Sequence, residues 1–183
     1  MMSTVGRDLR YFAYGTLQKG FPNWLDLADR LGDPIGRFRT AGPYALVVPL
    51  EPGCWNPGCG LLHRMAALVP GVEALRVEGD LFAIDRSALA EIDRLENYDD
   101  QRPTSGLYVR GHVHVRPLSG GSVLEAIAYR VRDPAPWLAL VSSGRAELLA
   151  SYERGFASAT LKACCRAEPG HAGPHDVIDP FAR

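Results

Sequence analysis

The chain passes from one short strand-like segment to the next with few helical stripes between them and no βαβ rhythm, and this order limits the possible folds more than any other feature. Leu9 to Tyr14 has the aromatic content of a strand, and Gly15 breaks it. Leu9, Tyr11 and Ala13 share one of its faces; Arg10, Phe12 and Tyr14 share the other. Gly36 to Leu50 reads as two short strands around Ala41-Gly42-Pro43, the second holding the run Tyr44 to Val48. Leu75 to Ile84 and Val123 to Val131 are further strands. Val109 to Val115 alternates cleanly, setting Val109, Gly111, Val113 and Val115 opposite Arg110, His112 and His114. Helical spacing is confined to three places. Trp24, Leu27, Ala28 and Leu31 follow Asn23 as N-cap and stop at Gly32. A second helix covers Asp85 to Glu96, and a third is expected over Arg145 to Ala157, with Leu148, Leu149, Tyr152 and Phe156 as its stripe. The pattern points to an α+β fold around a curved sheet or barrel.

With 183 residues the chain has room for one domain with a full core. The expected division is a domain over residues 1–166 and a C-terminal tail over 167–183, where Pro, Gly and His become frequent and apolar side chains few, Phe181 among them. Twenty basic and twenty-one acidic side chains leave a net charge of -1, which excludes attraction of nucleic acid or anionic membrane by overall charge. No apolar run nears the ~20 residues that span a bilayer. Met1 to Arg10 carries Arg7, Asp8 and Arg10 and no apolar core of a leader peptide. A cytoplasmic protein is expected, with no nucleic-acid or membrane partner.

The four cysteines, Cys54, Cys59, Cys164 and Cys165, are too few for a disulfide scaffold of this length. With His63, His171 and His175 they are loosely suggestive of zinc, but their spacing fits no compact zinc pattern. Free thiols and no metal are therefore expected. The turn from Gly15 to Gly20 lacks dinucleotide or P-loop spacing, and Glu51 to Gly60 is read as a loop from its Pro and Gly content.

The most informative segment is Asp85 to Tyr98. Asp85 or Ser87 caps a helix whose apolar stripe is Ala88, Leu89, Ile92 and Leu95. Glu96 lies seven positions after Leu89, on the same inward face, and at the helix C-terminus, where the macrodipole disfavours negative charge. Arg86, Glu91, Asp93 and Arg94 fall on outer or flanking faces and read as solvated charges. An inward carboxylate at the wrong end of a helix is costly. Two structural explanations stand: satisfaction by a nearby Arg or backbone amides, or a helix end frayed into water.

Several segments, in order, resemble the γ-glutamyl cyclotransferase-like family. Tyr14-Gly15-Thr16-Leu17 resembles its N-terminal Y-G-[S/T]-L turn, and Val77 to Phe82 (VEGDLF) its V-x-G-E strand. Ile92-Asp93-Arg94-Leu95-Glu96 is similar to the family's L-D-x-(hydrophobic)-E helix end. Tyr108-Val109-Arg110 resembles its Y-x-R strand start, and Ala128 to Val131 a tyrosine-bearing strand. The likeness covers about residues 9 to 160 and is nearest the short branch, which includes γ-glutamylamine cyclotransferases and antibiotic-pathway enzymes that remove a γ-glutamyl group. It implies a mixed, mostly antiparallel β-barrel with flanking helices. It also implies a small-molecule γ-glutamyl amine or peptide as substrate, released as 5-oxoproline and a free amine, with no cofactor. By resemblance Glu96 is the general acid/base, the amides of Gly15, Thr16 and Leu17 hold the substrate carboxylate, and Tyr14, Tyr108 and Tyr129 line the site. Two stretches depart from the family: Glu51 to Val72 is longer, and the tail beyond Leu161 has no counterpart.

Two other readings remain open at this level. Gly53-Cys54-Trp55 echoes a fragment of a papain-type cysteine hydrolase signature, without the remainder of that signature. The same fold without catalysis would be a small-molecule or partner-binding module.

Overall fold

The structure is a computed structural model that describes residues 6–49, 67–71 and 75–152. In chain order the elements are β1 (Leu9–Ala13), α1 (Pro22–Leu31), β2 (Gly36–Thr40), β3 (Tyr44–Pro49), β4 (Ala67–Pro70), β5 (Glu78–Ile84), α2 (Arg86–Leu95), β6 (Tyr108–Pro117), β7 (Leu124–Val131), α3 (Ala135–Ser142) and β8 (Ala146–Leu149). Five strands close a barrel in the order β1-β5-β2-β6-β7. Its pairs are antiparallel except the closing one, where β1 meets β7 in parallel at Tyr11 and Ile127. A separate antiparallel sheet has the order β4-β3-β8. This is the mixed, mostly antiparallel barrel with flanking helices that the resemblance implies.

Apart from its exposed Arg10, β1 is apolar on both sides because both sides are buried. Tyr11 and Ala13 join a cluster with Phe82, Ile84, Ala88 and Ile92, while Phe12 and Tyr14 join another with Leu81, Val113 and Ala128. Full burial of a side chain such as Ile92 is worth about 1.5–3 kcal/mol, so α2 is held to the barrel by its inward stripe. β5 fits beside β1 only because position 79 is glycine: a Cβ there would lie 2.2 Å from the Ala13 carbonyl oxygen. That contact gives the glycine of the VEGDLF segment a steric reason.

Three expectations change. The helix expected over Arg145 to Ala157 is absent from Arg145 to Ser151, and residues 153–157 lie outside the described residues. Ala146 to Leu149 instead pair with β3, Leu149 opposite Leu46, so an edge partner overrides the helical spacing of Leu148, Leu149 and Tyr152. Asn23 is not the cap of α1, which starts at Pro22 with Phe21 as cap; proline at the first helical position lacks only an N–H that would go unpaired there. Leu95 is exposed rather than inward, because α2 ends there and the inward direction passes to Glu96. The cysteines, His63, His171, His175, the loop over 51–60 and the tail over 167–183 lie outside the described residues. Among those described, no helix is long and apolar enough to cross a membrane, and no cluster of three or more His, Cys, Asp or Glu is placed to hold a metal ion.

Candidate active site

Two local structures carry the residues expected at the site, and Tyr14 and Glu96 lie close enough to interact electrostatically. The first is the turn that follows β1. Its carbonyls are engaged: that of Gly15 accepts the Gln18 amide at 3.1 Å, and that of Thr16 accepts the Trp24 amide at 3.1 Å. The Gln18 side chain, fully buried, donates from Nε2 to the carbonyls of Tyr14 (3.0 Å) and Gly15 (3.2 Å). Asn23 donates to the Thr16 hydroxyl at 2.8 Å, tying the turn to α1. Asp80, reaching over from β5, accepts the Lys19 amide at 2.8 Å. The amides of Gly15, Thr16 and Leu17, by contrast, donate to nothing among the described residues. A turn with its carbonyls bound and successive amides unpaired has the polarity of an anion seat. The Leu17 side chain is buried in the core, so only its backbone faces this question.

The second structure is the end of α2. Asp85 caps the start, accepting the Ala88 amide at 2.8 Å. At the other end Asn97 adopts φ 52, the Tyr98 amide returns to the Asp93 carbonyl (2.8 Å) and the Asn97 amide to that of Arg94 (3.3 Å). This paired return is a Schellman closure, and it makes Glu96 the cap residue, seven positions after Leu89 and four after the buried Ile92. Glu96 keeps partial contact with solvent. The surrounding protein nonetheless desolvates its carboxyl and pushes the pKa up from 4.5 to about 7, and no hydrogen bond or ion pair offsets this among the described residues.

Tyrosines surround that carboxyl. Burial raises the pKa values of Tyr11, Tyr14, Tyr108 and Tyr129, and the charge of Glu96 adds to the rise in each. All four therefore stay neutral and keep their protons. The hydroxyl of Tyr14 donates to the Tyr129 carbonyl at 2.6 Å, and that of Tyr129 donates to Asp93. Those of Tyr11 and Tyr108 have no hydrogen-bond partner among the described residues. Tyr129 thus joins the turn side, through Tyr14, to the helix side, through Asp93.

The sequence-predicted residues Tyr14, Tyr108, Tyr129 and Glu96 are brought within electrostatic reach of one another, and Tyr14 leads directly into Gly15, Thr16 and Leu17. Asp93 differs from expectation. It is not a solvated charge: β6 and β7 run beside this end of α2, so Arg110 and the Tyr129 hydroxyl both bind its carboxylate. Burial pushes its pKa up, against the pull of those two partners. Arg110 also pairs with Asp100 and stacks over the Tyr98 ring at 4.7 Å. Tyr11, Gln18 and Asp80 escape the sequence reading as well. Asp93 alone carried a usable signal there, one helical turn before Glu96 on a neighbouring flank. An open depression of about 320 Å³ lined by Leu89, Tyr98, Arg110, Gly111, His112 and Ile127 adjoins the Asp93 side.

Residues 11–146 match the family described as gamma-glutamyl cyclotransferase, AIG2-like. Gamma-glutamylaminecyclotransferase B of Danio rerio is 30% identical over 163 residues, covering 82% of this chain and 77% of the relative. A putative gamma-glutamylcyclotransferase of Drosophila melanogaster is 33% identical over 97 residues, 50% of this chain and 54% of that one. Among solved structures, an AIG2-like protein of Mus musculus shares the fold with a TM-score of 0.52 at 24% identity, covering 71% of this chain and 82% of the mouse chain.

Proposed function

The chain belongs to the gamma-glutamyl cyclotransferase, AIG2-like family, and from that premise we propose that it cyclises the γ-glutamyl group of a small amine or peptide, releasing 5-oxoproline and a free amine. The observation that carries this reading is Glu96: a carboxylate with no partner among the described residues, ringed by neutral tyrosines, with a pKa raised to about 7. A group that titrates near neutral pH accepts and returns a proton with little loss in either direction.

The nucleophile is the substrate's own α-amine, so the protein supplies neither a Ser nor a Cys. The α-ammonium gives a proton to the Glu96 carboxylate, and the freed amine attacks the γ-carbonyl carbon. A new N–C bond closes the five-membered ring. The old γ C–N bond then breaks as Glu96 returns the proton to the departing nitrogen. The second proton, left on the ring nitrogen by the attack, passes to the released amine, which departs as an ammonium, and the carboxylate ends as it began. Holding amine and carbonyl in contact contributes on the order of 7 kcal/mol or more in well-oriented cases. That duty falls to the Gly15, Thr16 and Leu17 amides, which seat the α-carboxylate. Tyr14 and Tyr129, their hydroxyls committed to protein acceptors, form walls. Tyr108 keeps a neutral hydroxyl to donate to substrate.

The test is incubation with a panel of γ-glutamyl amines and peptides and mass-spectrometric detection of 5-oxoproline. Its formation from at least one member, insensitive to thiol alkylation, is expected. Binding of these compounds with no 5-oxoproline would identify a binding module instead.

A further inference from the structure

The Gly15 to Leu17 turn owes its shape to a buried side chain that no part of the proposed reaction uses. Gln18 is fully buried. Its Oε1 accepts Arg37 Nη1 at 2.7 Å, and because a guanidinium only donates, the opposite atom must be the amide nitrogen. That nitrogen lies 3.0 Å from the Tyr14 carbonyl and 3.2 Å from the Gly15 carbonyl. Arg37 is itself fixed by Asp80 at 3.4 Å and Glu78 at 3.8 Å, and Asp80 accepts the Lys19 amide. The chain of contacts therefore runs from β5 through Arg37 and Gln18 to two successive peptide carbonyls. Holding those carbonyls on one side fixes the peptide planes of Tyr14-Gly15 and Gly15-Thr16, and with them the directions of the Gly15 and Thr16 amides.

We infer that Gln18, oriented by Arg37, is a positioning residue that presets the turn amides for the substrate carboxylate and so makes the site selective for substrates that carry one. The inference rests on the reading above that these amides seat a carboxylate. It goes beyond that reading in assigning carboxylate selectivity to a side chain that touches no substrate. A preset donor array binds without reordering, whereas a loosened turn must be ordered by each substrate it takes.

Two variants and two measurements test it. Gln18→Met keeps the length and loses the amide; Gln18→Glu keeps the size and the Arg37 contact but turns an acceptor toward two carbonyls. In the turnover measurement each protein is given a γ-glutamyl amide and the matching 4-aminobutanoyl amide. The latter keeps the amine and the amide, lacks the α-carboxylate and closes to pyrrolidin-2-one. Wild type should prefer the carboxylate-bearing substrate in kcat/KM, and both variants should lose about tenfold or more of that preference, mostly through KM. A merely structural role would lower both substrates alike and leave the ratio intact, which would overturn the inference. In the second measurement 15N-labelled protein is titrated with 5-oxoproline while the Gly15, Thr16 and Leu17 amide resonances are followed. These should shift in wild type, with an apparent Kd about tenfold higher in the variants. Shifts without any turnover would defeat the proposed reaction and leave the role of Gln18 standing. Turnover with wild-type amides that do not respond would defeat the carboxylate seat and the role of Gln18 with it; responsive amides with unchanged affinity in both variants would defeat Gln18 alone.

Discussion

The two sides of the site are built on opposite principles. On the turn side the carbonyls of Tyr14, Gly15 and Thr16 are all bound, and a Gln18–Arg37–Asp80 network fixes the backbone. On the helix side Glu96 has no partner among the described residues, while Asp93, three residues earlier, has two. The contrast between Asp93 and Glu96 is instructive because one helix end presents both. Pairing engages both oxygens of Asp93 and makes it a strut. Isolation leaves Glu96 free to exchange protons and raises its pKa toward the working pH. In the proposed reaction, binding falls to preset backbone and proton transfer to Glu96.

The largest expected effect comes from removing the unpaired member. Glu96→Gln keeps size and polarity but cannot take a proton from an ammonium, so turnover should fall by about 10²–10⁴-fold. Binding of 5-oxoproline should persist, since the turn is untouched. The melting temperature should not drop, because no ion pair is broken. A variant that melts early and loses activity only in proportion would make Glu96 a structural carboxylate and erase the contrast with Asp93.

This division was half legible in the sequence. Glu96 could be found because the 3.6-residue period fixes its face and Asn97 ends the helix just after it. Strands β1, β5, β6 and β7 could be read because aromatic and β-branched runs bounded by turns leave little choice. Ala146 to Leu149 could not, since four residues carry too little periodicity and only the pairing with β3 decides their state. α3 is missed for a related reason: the run APWLALVS is apolar nearly all round and shows no stripe. The partners of Gln18 and Asp93 come from strands distant in sequence, which local pattern does not reveal.

The next effect is on stability and depends on pH. The folded pKa of Glu96 lies at about 7, above the ordinary 4.5, so the folded state holds the extra proton between these values. Wild-type stability is therefore free of this penalty below about pH 4.5 and declines as pH rises to about 7, by at most about 3 kcal/mol. Glu96→Gln should match wild type at pH 4 and exceed it at pH 8, as read from denaturant midpoints. Equal differences at both pH values would mean that the carboxyl is not desolvated. Asp80 supplies the counterpart on the turn side. Asp80→Ala strips the buried partner of Arg37 and of the Lys19 amide, and should cost about 2–3 kcal/mol, less than a fully buried pair because Arg37 stays half-exposed and keeps Glu78. Its rate loss should appear mainly in KM.

The smallest effect belongs to the residue that touches both sides. Tyr129→Phe keeps the ring between Tyr11 and Tyr98, with centroids 6.2 and 6.1 Å away, and keeps the carbonyl that accepts the Tyr14 hydroxyl. It removes only the proton that Tyr129 gives to Asp93. A hydrogen bond to a charged group is worth about 1.5–3 kcal/mol, but Asp93 retains Arg110, so a loss of about 1–2 kcal/mol is expected. The same hydrogen bond holds the Asp93 pKa down, so its removal should move that pKa further up. NMR titration of the Asp93 carboxyl carbon would show the change. Turnover should fall by less than about tenfold, because a hydroxyl already donating to Asp93 has no proton to lend the reaction. A loss approaching that of Glu96→Gln would put the Tyr129 hydroxyl in the proton path, and the paired and unpaired carboxylates would then be parts of one relay rather than a strut beside a shuttle.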